Sequence, residues 1–196
     1  MSTYFTSDQH FFHNNIIKLA NRPFTDLYTM HQTMIQNFQS IVTDQDTIYW
    51  VGDVVWNFQK LPDLLAKCPG HHILIVGNHD KCFKETYAGT PGKYTEFYLR
   101  AGFSEIYTNT VIDIAGQLVN LSHFPYRNDN PEPEYDDRYR DMRPVDDGNW
   151  LIHGHIHSKG LYNHKMINVS VEMHNYTPIH IDQIAQHIKD NPNGIS

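Results

Sequence analysis

Cysteine is nearly absent. Cys68 and Cys82 are the only two in 196 residues, without CxxC spacing, which argues against a disulfide framework and for two reduced, buried thiols. Long apolar runs are missing too: none approaches the ~20 residues of a membrane span. The N-terminus shows no basic segment followed by an apolar stretch and a cleavage site, so a cytoplasmic protein without membrane association is expected. Nor is there an excess of positive charge. Lys and Arg number 15 against 22 Asp and Glu, a formal net charge of −7, so the basic stripe of an extended duplex nucleic-acid binder is not to be looked for. Internal repeats and low-complexity tracts are likewise missing. The length suits a single domain over residues 1–190, with the polar end "NPNGIS" (191–196) as a flexible tail.

What the chain has in abundance is histidine, 14 in all. Histidine is the commonest metal ligand and the usual proton shuttle near neutral pH. His31, His71, His72, His164 and His187 lie outside any motif and read as surface or structural residues. The others need a destination.

Periodicity places short strands at 3–7, 46–55 and 71–80, with helices over 26–42 and 61–67. The longer helix has Leu27, Met30, Met34, Phe38 and Ile41 at helical spacing, and Thr25 or Asp26 as its cap. A helix near 93–101 precedes a hairpin over 111–123. A long polar segment, 124–149, is functional or mobile by its length. Strands at 150–157 and 166–173 and a helix at 180–188 close the chain. Strand and helix alternate early and strands cluster late, which predicts a layered α/β domain with sheet at its centre.

Five islands of Asp, Asn and His stand where apolar strands stop. They are "DQHFFHNN" from Asp8, "GDVV" at 52–55, "GNHD" at 77–80, "SHFP" at 122–125 and "GHIH" at 154–157. In an extended segment Asp8 and His10 point to one side, as do His155 and His157. Glycines 52, 77 and 154 allow close backbone approach or positive φ. In layered α/β folds, sites form beyond the strands' carboxyl ends. The plausible ligands are Asp8, His10, Asp53, Asn78, His123, His155 and His157. Seven groups exceed one ion's needs and suit two if a carboxylate bridges. Two carboxylates against two divalent cations leave surplus positive charge for a phosphate. That set predicts phosphoester hydrolysis.

The motif series D-x-H, G-D, G-N-H-[DE], H and G-H-x-H runs complete and in order from residue 8 to 157, and in this the chain resembles the calcineurin-like metallophosphoesterase superfamily. "DQHFFHNNII", "RPVDDGNWLIHGHIH" and "INVSVEMHNYTPIHIDQI" are similar to segments of its small bacterial and phage members, which extends the likeness over nearly the whole chain. The resemblance implies a layered α-β-β-α sandwich with central mixed sheets. It implies that Asp8, His10 and His157 hold one metal, that Asn78, His123 and His155 hold a second, and that Asp53 bridges them. His79 matches the residue that protonates the leaving oxygen or stabilises the phosphate, and Asp80 matches the acid that orients His79. Mn²⁺ is the implied metal, while a mixed N/O ligand set also accepts Fe, Ni²⁺, Co²⁺ or Zn²⁺. One departure stands out: "GDVVW" has Trp56 where the frequent G-D-x-x-D form has its second Asp, which puts the packing of that loop in question.

The expected activity is that of a phosphodiesterase on a nucleotide or other small phosphodiester, cyclic nucleotides included. A phosphomonoesterase on a phosphoprotein or sugar phosphate, and a metal-binding scaffold without catalysis, are the alternatives. Arg127, four residues after His123, is a candidate fork for phosphate oxygens. His13 and Asn15 either line the mouth of the site or cap the helix after them. Arg138, Arg140 and Arg143 read as one charged loop, and Tyr126, Tyr135 and Tyr139 as possible stacking partners for a base.

Overall fold

The computed structural model describes residues 1–127, 138–160 and 162–195; Tyr135 lies outside them. Among the described residues ten strands form two mixed five-stranded sheets. In the first sheet β1 (Thr3–Thr6), β2 (Thr47–Trp50), β3 (His71–Ile75) and β4 (Phe103–Tyr107) run parallel in that order, and β10 (Ile179–His180) pairs antiparallel with β1. The second has the order β5 (Asn109–Ile114), β6 (Gln117–Ser122), β7 (Trp150–His153), β9 (Met166–Asn168) and β8 (Tyr162–Asn163). There β5 and β6 make the expected hairpin, and β6, β7 and β9 are parallel.

Alternation along the strands feeds two cores. Ile48, Trp50, Leu74 and Val76 face a cluster with Met30, Met34 and Phe38 of α2 (Leu27–Ile41), Leu61 and Leu64 of α3 (Leu61–Leu65) and Tyr98 of α5 (Lys93–Ala101). Phe5, Val51 and Ile75 face the other way, onto Val119, Leu121, Ile152 and Ile167 of the second sheet and onto Ile184 and Ile188 of α6 (Ile181–Asp190). The result is an α/β sandwich, with mixed sheets at the centre and helices flanking them.

Local chemistry sets the boundaries. Asp26 caps α2 by accepting from the Thr29 N–H at 2.7 Å, and the buried Met30, Met34, Ile35 and Phe38 form one face. α6 starts in a capping box of His180 and Gln183. The short helix α4 (Phe83–Tyr87) and strand β4 escaped the sequence patterns, while α1 (Ile16–Leu19) is the helix expected after His13 and Asn15. The strand expected over 166–173 stops at Asn168, whose Oδ1 accepts from the Ser170 N–H at 3.0 Å. A 3-10 turn over Val171–His174 follows; the local side-chain bond competes with the ladder there. Cys68 and Cys82 are free and buried. Among the described residues no helix is long and apolar enough to cross a membrane.

Candidate metal centre

The site grows from the ends of parallel strands. Asp8 follows β1, Asp53 follows β2, Asn78 follows β3, His123 follows β6, and His155 and His157 follow β7. Beyond the sheet the first two loops continue to pair: Asp8 N–H donates to Gly52 O, His10 N–H to Asp53 O and Phe11 N–H to Val54 O, each at 3.0 Å. The strands are shorter than the sequence suggested, because the backbone turns left-handed where the ligands begin. Asp8 (φ 59°), His10 (φ 50°), Asp53 (φ 57°), His155 (φ 72°) and His157 (φ 50°) all have positive φ. Convergence of Asp8 with His10, and of His155 with His157, is therefore not the strand alternation expected from sequence. Left-handed turns aim these side chains, at a cost of roughly 1–3 kcal/mol per residue that the surrounding contacts must offset.

Three glycines make the approach possible, and at Gly77 a Cβ would run into Asp53 Oδ1 and the Asp53 N–H. Gly52 has φ +90°, and a Cβ there would collide with the His123 ring. At Gly154 a Cβ would run into Ser7 Oγ and Asp8 Oδ2.

Two groups of ligand atoms result, Asp8 with His10 and His157, and Asp8 with Asp53 and His123, each with its ligand atoms within 4.8 Å of one another. Asp53 Oδ2, of the second group, lies 3.6 Å from His10 Nε2 of the first and 3.5 Å from His123 Nε2. His157 Nε2 is 4.0 Å from Asp8 Oδ1, Asn78 Oδ1 is 3.2 Å from His123 Nε2, and the His155 ring is centred 5.3 Å from that of His123. All seven residues read from the sequence thus meet at one place.

The donor chemistry fits cations. Asp8 Oδ1 and both ring nitrogens of His10 are buried without a hydrogen-bond partner, an arrangement costly to a protein unless something else satisfies them. The opposite Asp8 oxygen is well held: Oδ2 accepts from the His155 N–H at 2.9 Å and lies 2.6 Å from Ser7 Oγ and 2.8 Å from Ser170 Oγ. His123 Nδ1–H donates to Val51 O at 2.8 Å, and His157 Nδ1–H to Glu172 Oε1 at 2.8 Å. Each leaves Nε2 for the centre. Burial pushes His10 down to about 4 and, with His123 beside it, His155 down to about 3, so both imidazoles are neutral. For His123 burial opposes the charge, yet the Asp53 carboxylate prevails and lifts it to about 9. Without a cation a proton occupies that place, and metal binding must release it.

A cavity of about 780 Å³ opens over the centre, lined by His10, Asp53, Asn78, His155 and His157 and, farther out, by His13, Trp56, His79, Arg138, Tyr139, Arg143 and Lys159. His79 is exposed, its ring 5.3 Å from that of His10. Arg143 is buried and stands 5.9 Å over the Phe124 ring.

Several expected residues sit elsewhere or act differently. Among the described residues no hydrogen bond joins Asp80 to the His79 ring. The Asp80 carboxylate instead accepts from the backbone N–H groups of Gly77 (2.8 Å), Asp53 (3.0 Å) and Val54 (3.2 Å), tying the second and third ligand loops together. Arg127 does not line the cavity; its N–H donates to Pro144 O at 2.8 Å. Asn15 is exposed at the start of α1, makes no side-chain cap and lies off the cavity. His13 does line it.

Two residues escaped the sequence reading. Arg22, with 0% side-chain exposure, donates to Asp8 O at 2.6 Å, to Gln9 O at 2.8 Å and to Glu172 Oε1 at 2.6 Å. Arg22 and Glu172 are 150 positions apart, and no local pattern links them.

Fold and donor set define a metal-dependent phosphoesterase with a place for two ions. Residues 1–178 match the family described as Calcineurin-like phosphoesterase, and the chain belongs to it. An uncharacterised protein of Methanocaldococcus jannaschii is 34% identical over 95% of this chain and 90% of its own length. The Gene 66 protein of Mycobacterium phage L5 is 30% identical over 80% of this chain and 78% of its own. The crystal structure of a protein of unknown function from Aquifex aeolicus superposes with a TM-score of 0.71 at 30% identity, covering 95% of this chain and 99% of that one.

Proposed function

We propose that the protein is a phosphodiesterase that uses two divalent cations, Mn²⁺ favoured, to hydrolyse a nucleotide or another small phosphodiester. The observation that carries this is the position of Asp53 Oδ2, 3.6 Å and 3.5 Å from the two histidines His10 and His123. Asp8, His10, His157, Asn78, His123 and His155 would hold the two ions, with Asp53 as the carboxylate shared by both. Bound there, the ions stabilise charge on phosphoryl oxygens and lower the pKa of a water nucleophile.

The chain's own groups do the rest. His79, exposed at the inner rim, passes a proton to the departing oxygen. Arg138 and Arg143, which line the cavity where Arg127 does not, take the substrate's further oxygens. The lining includes His13 and Trp56 as well as Arg138 and Arg143 around about 780 Å³, a size that supports a diester with a substituent beyond the phosphoryl group.

The test is to strip metal with chelator, restore Mn²⁺, and compare bis-p-nitrophenyl phosphate with p-nitrophenyl phosphate and with 2′,3′- and 3′,5′-cyclic nucleotides. Mn²⁺-dependent turnover that favours diesters is expected. A preference for p-nitrophenyl phosphate would replace the diesterase by a monoesterase. Two bound ions with no turnover of any ester would leave the scaffold.

A further inference from the structure

Trp56 is a large aromatic in an unusual position. It is 50% exposed, whereas Trp50 and Trp150, the other two tryptophans, are 1% and 2% exposed. Its backbone is nonetheless fixed, because the Trp56 N–H donates to Phe11 O at 2.8 Å, the last rung of the paired ligand loops. Its ring is fixed as well. His13 lies flat against it, with centroids 4.0 Å apart and 7° between planes, a close parallel stack. The His79 ring is 5.2 Å away on the metal side. The indole is thus a preorganised aromatic surface on the cavity wall, not a mobile surface side chain.

The wall around it has the same character. Ile16, Leu19 and Ala20 line the cavity together with His13 and Trp56, and Leu19 is 71% exposed. Arg138, Arg143 and Lys159 belong to other segments of the lining. Arg143 lies near His155, whose charged form it disfavours, while His13 and Trp56 lie near His10 and His79. The centre therefore has an aromatic, apolar flank and a cationic one. Exposed apolar surface beside a polar reaction centre needs an occupant with a flat apolar face.

We propose that Trp56, backed by His13, is the platform on which a nucleobase of the substrate stacks, which narrows the substrate to base-bearing phosphoesters. The assignment rests on the phosphoesterase reading of the same cavity. Every base has a π-face, so the platform selects for a ring without fixing which base.

Tryptophan fluorescence tests it without turnover, since Trp56 alone among the three tryptophans is open to a ligand. Mn²⁺-loaded protein is titrated with AMP, with ribose 5-phosphate and with inorganic phosphate, excited at a wavelength that AMP does not absorb. AMP should quench the emission and bind roughly 5- to 150-fold tighter than ribose 5-phosphate, the worth of one stacked base. Trp56→Ala and Trp56→Phe lack the reporting indole, so their affinities, and the wild type's for comparison, are read by isothermal titration calorimetry: in Trp56→Ala the two ligands should bind within roughly twofold of each other, with inorganic phosphate unchanged, and in Trp56→Phe a gap should persist. No AMP advantage in the wild type, or an advantage undiminished in Trp56→Ala, overturns the platform. Turnover of bis-p-nitrophenyl phosphate in the same preparation separates the two ideas. Turnover without an AMP advantage removes the platform alone; an AMP advantage without turnover of any ester removes the phosphoesterase reading and leaves the platform.

Discussion

His157 donates from Nδ1 to Glu172 Oε1 across 2.8 Å, and the same oxygen receives Arg22 at 2.6 Å, so a buried ion pair sets the direction of an imidazole in the candidate metal centre. Burial opposes the charge on Glu172, but His157 and Arg22 together hold its carboxyl below the usual range. The Arg22 guanidinium also grips the carbonyls of Asp8 and Gln9, and Asp8 is one of the left-handed residues. One cation thus steadies a ligand-bearing turn directly and a second ligand through Glu172.

Glu172→Gln keeps the shape and an acceptor but removes the charge that opposes Arg22 and supports His157. Metal affinity should fall roughly 10- to 100-fold, the usual effect of losing a partner that orients a ligand. Dialysis against graded Mn²⁺ followed by metal analysis measures it. Asp53→Ala, which deletes the carboxylate facing both His10 and His123, should instead lose both ions and all turnover. If Glu172→Gln binds metal like the wild type, the orienting role is wrong.

Gly154→Ala tests the close approach. The new methyl would meet Ser7 Oγ and Asp8 Oδ2, both buried, and overpacking of this kind typically costs about 1–3 kcal/mol. The variant should melt several degrees lower and bind metal weakly, since Asp8 must move. Gly160→Ala makes the converse comparison: Gly160 has φ +119° and open space around its Cβ position, whereas Gly154 is crowded and not at positive φ. It should lose stability to backbone strain yet bind metal as the wild type does. Equal metal loss in both variants would defeat the argument.

Much of this site was legible because its residues are chemically conspicuous and fall where apolar strands stop. Asp8, Asp53, Asn78, His123 and His155 each follow a β-rich run, and Gly52 and Gly154 announce close contact. The backbone was not legible. Alternation predicts the convergence of Asp8 with His10, whereas the chain uses positive φ at both, within a loop that pairs with another 44 residues away. Asp80 looked like a partner for its neighbour His79, but three backbone N–H groups from two loops compete for the same carboxylate. Arg22 was invisible because its partners are carbonyl oxygens and a residue 150 positions away. Local pattern identifies who can do chemistry; tertiary hydrogen bonding decides who is held and which way each group faces.

His72 gives a pH dependence away from the centre. Its Nδ1 accepts from Trp50 Nε1–H at 3.0 Å and its Nε2–H donates to Cys68 O at 3.0 Å, so the neutral ring has both nitrogens committed. Burial lowers its pKa from the ordinary 6.5, against an upward pull from Cys68. With the folded value below the unfolded one, the unfolded chain binds more protons in acid. The contribution is complete above 6.5 and is lost as pH falls from there through the folded value. Between pH 7 and 5 the denaturant midpoint of His72→Gln, which can still accept from Trp50, should fall less steeply than that of the wild type. Metal ligands titrate alike in both chains, so parallel slopes would mean His72 carries none of the acid sensitivity.

His79→Ala separates proton transfer from metal binding. The ring is exposed and belongs to neither ligand group, while its backbone N–H donates to Asp53 Oδ1 at 2.8 Å, a bond that alanine retains. Metal content should therefore be unchanged. If the ring supplies the proton, its loss should matter in proportion to the basicity of the departing oxygen. A p-nitrophenolate leaves without help, and an alkoxide does not. Hydrolysis of bis-p-nitrophenyl phosphate should fall little, while that of a dinucleoside monophosphate should fall about 10²- to 10⁴-fold, the usual yield of general acid catalysis. An equal loss on both substrates with both ions in place would instead assign His79 to charge stabilisation of the phosphoryl group, since that interaction is blind to the leaving group.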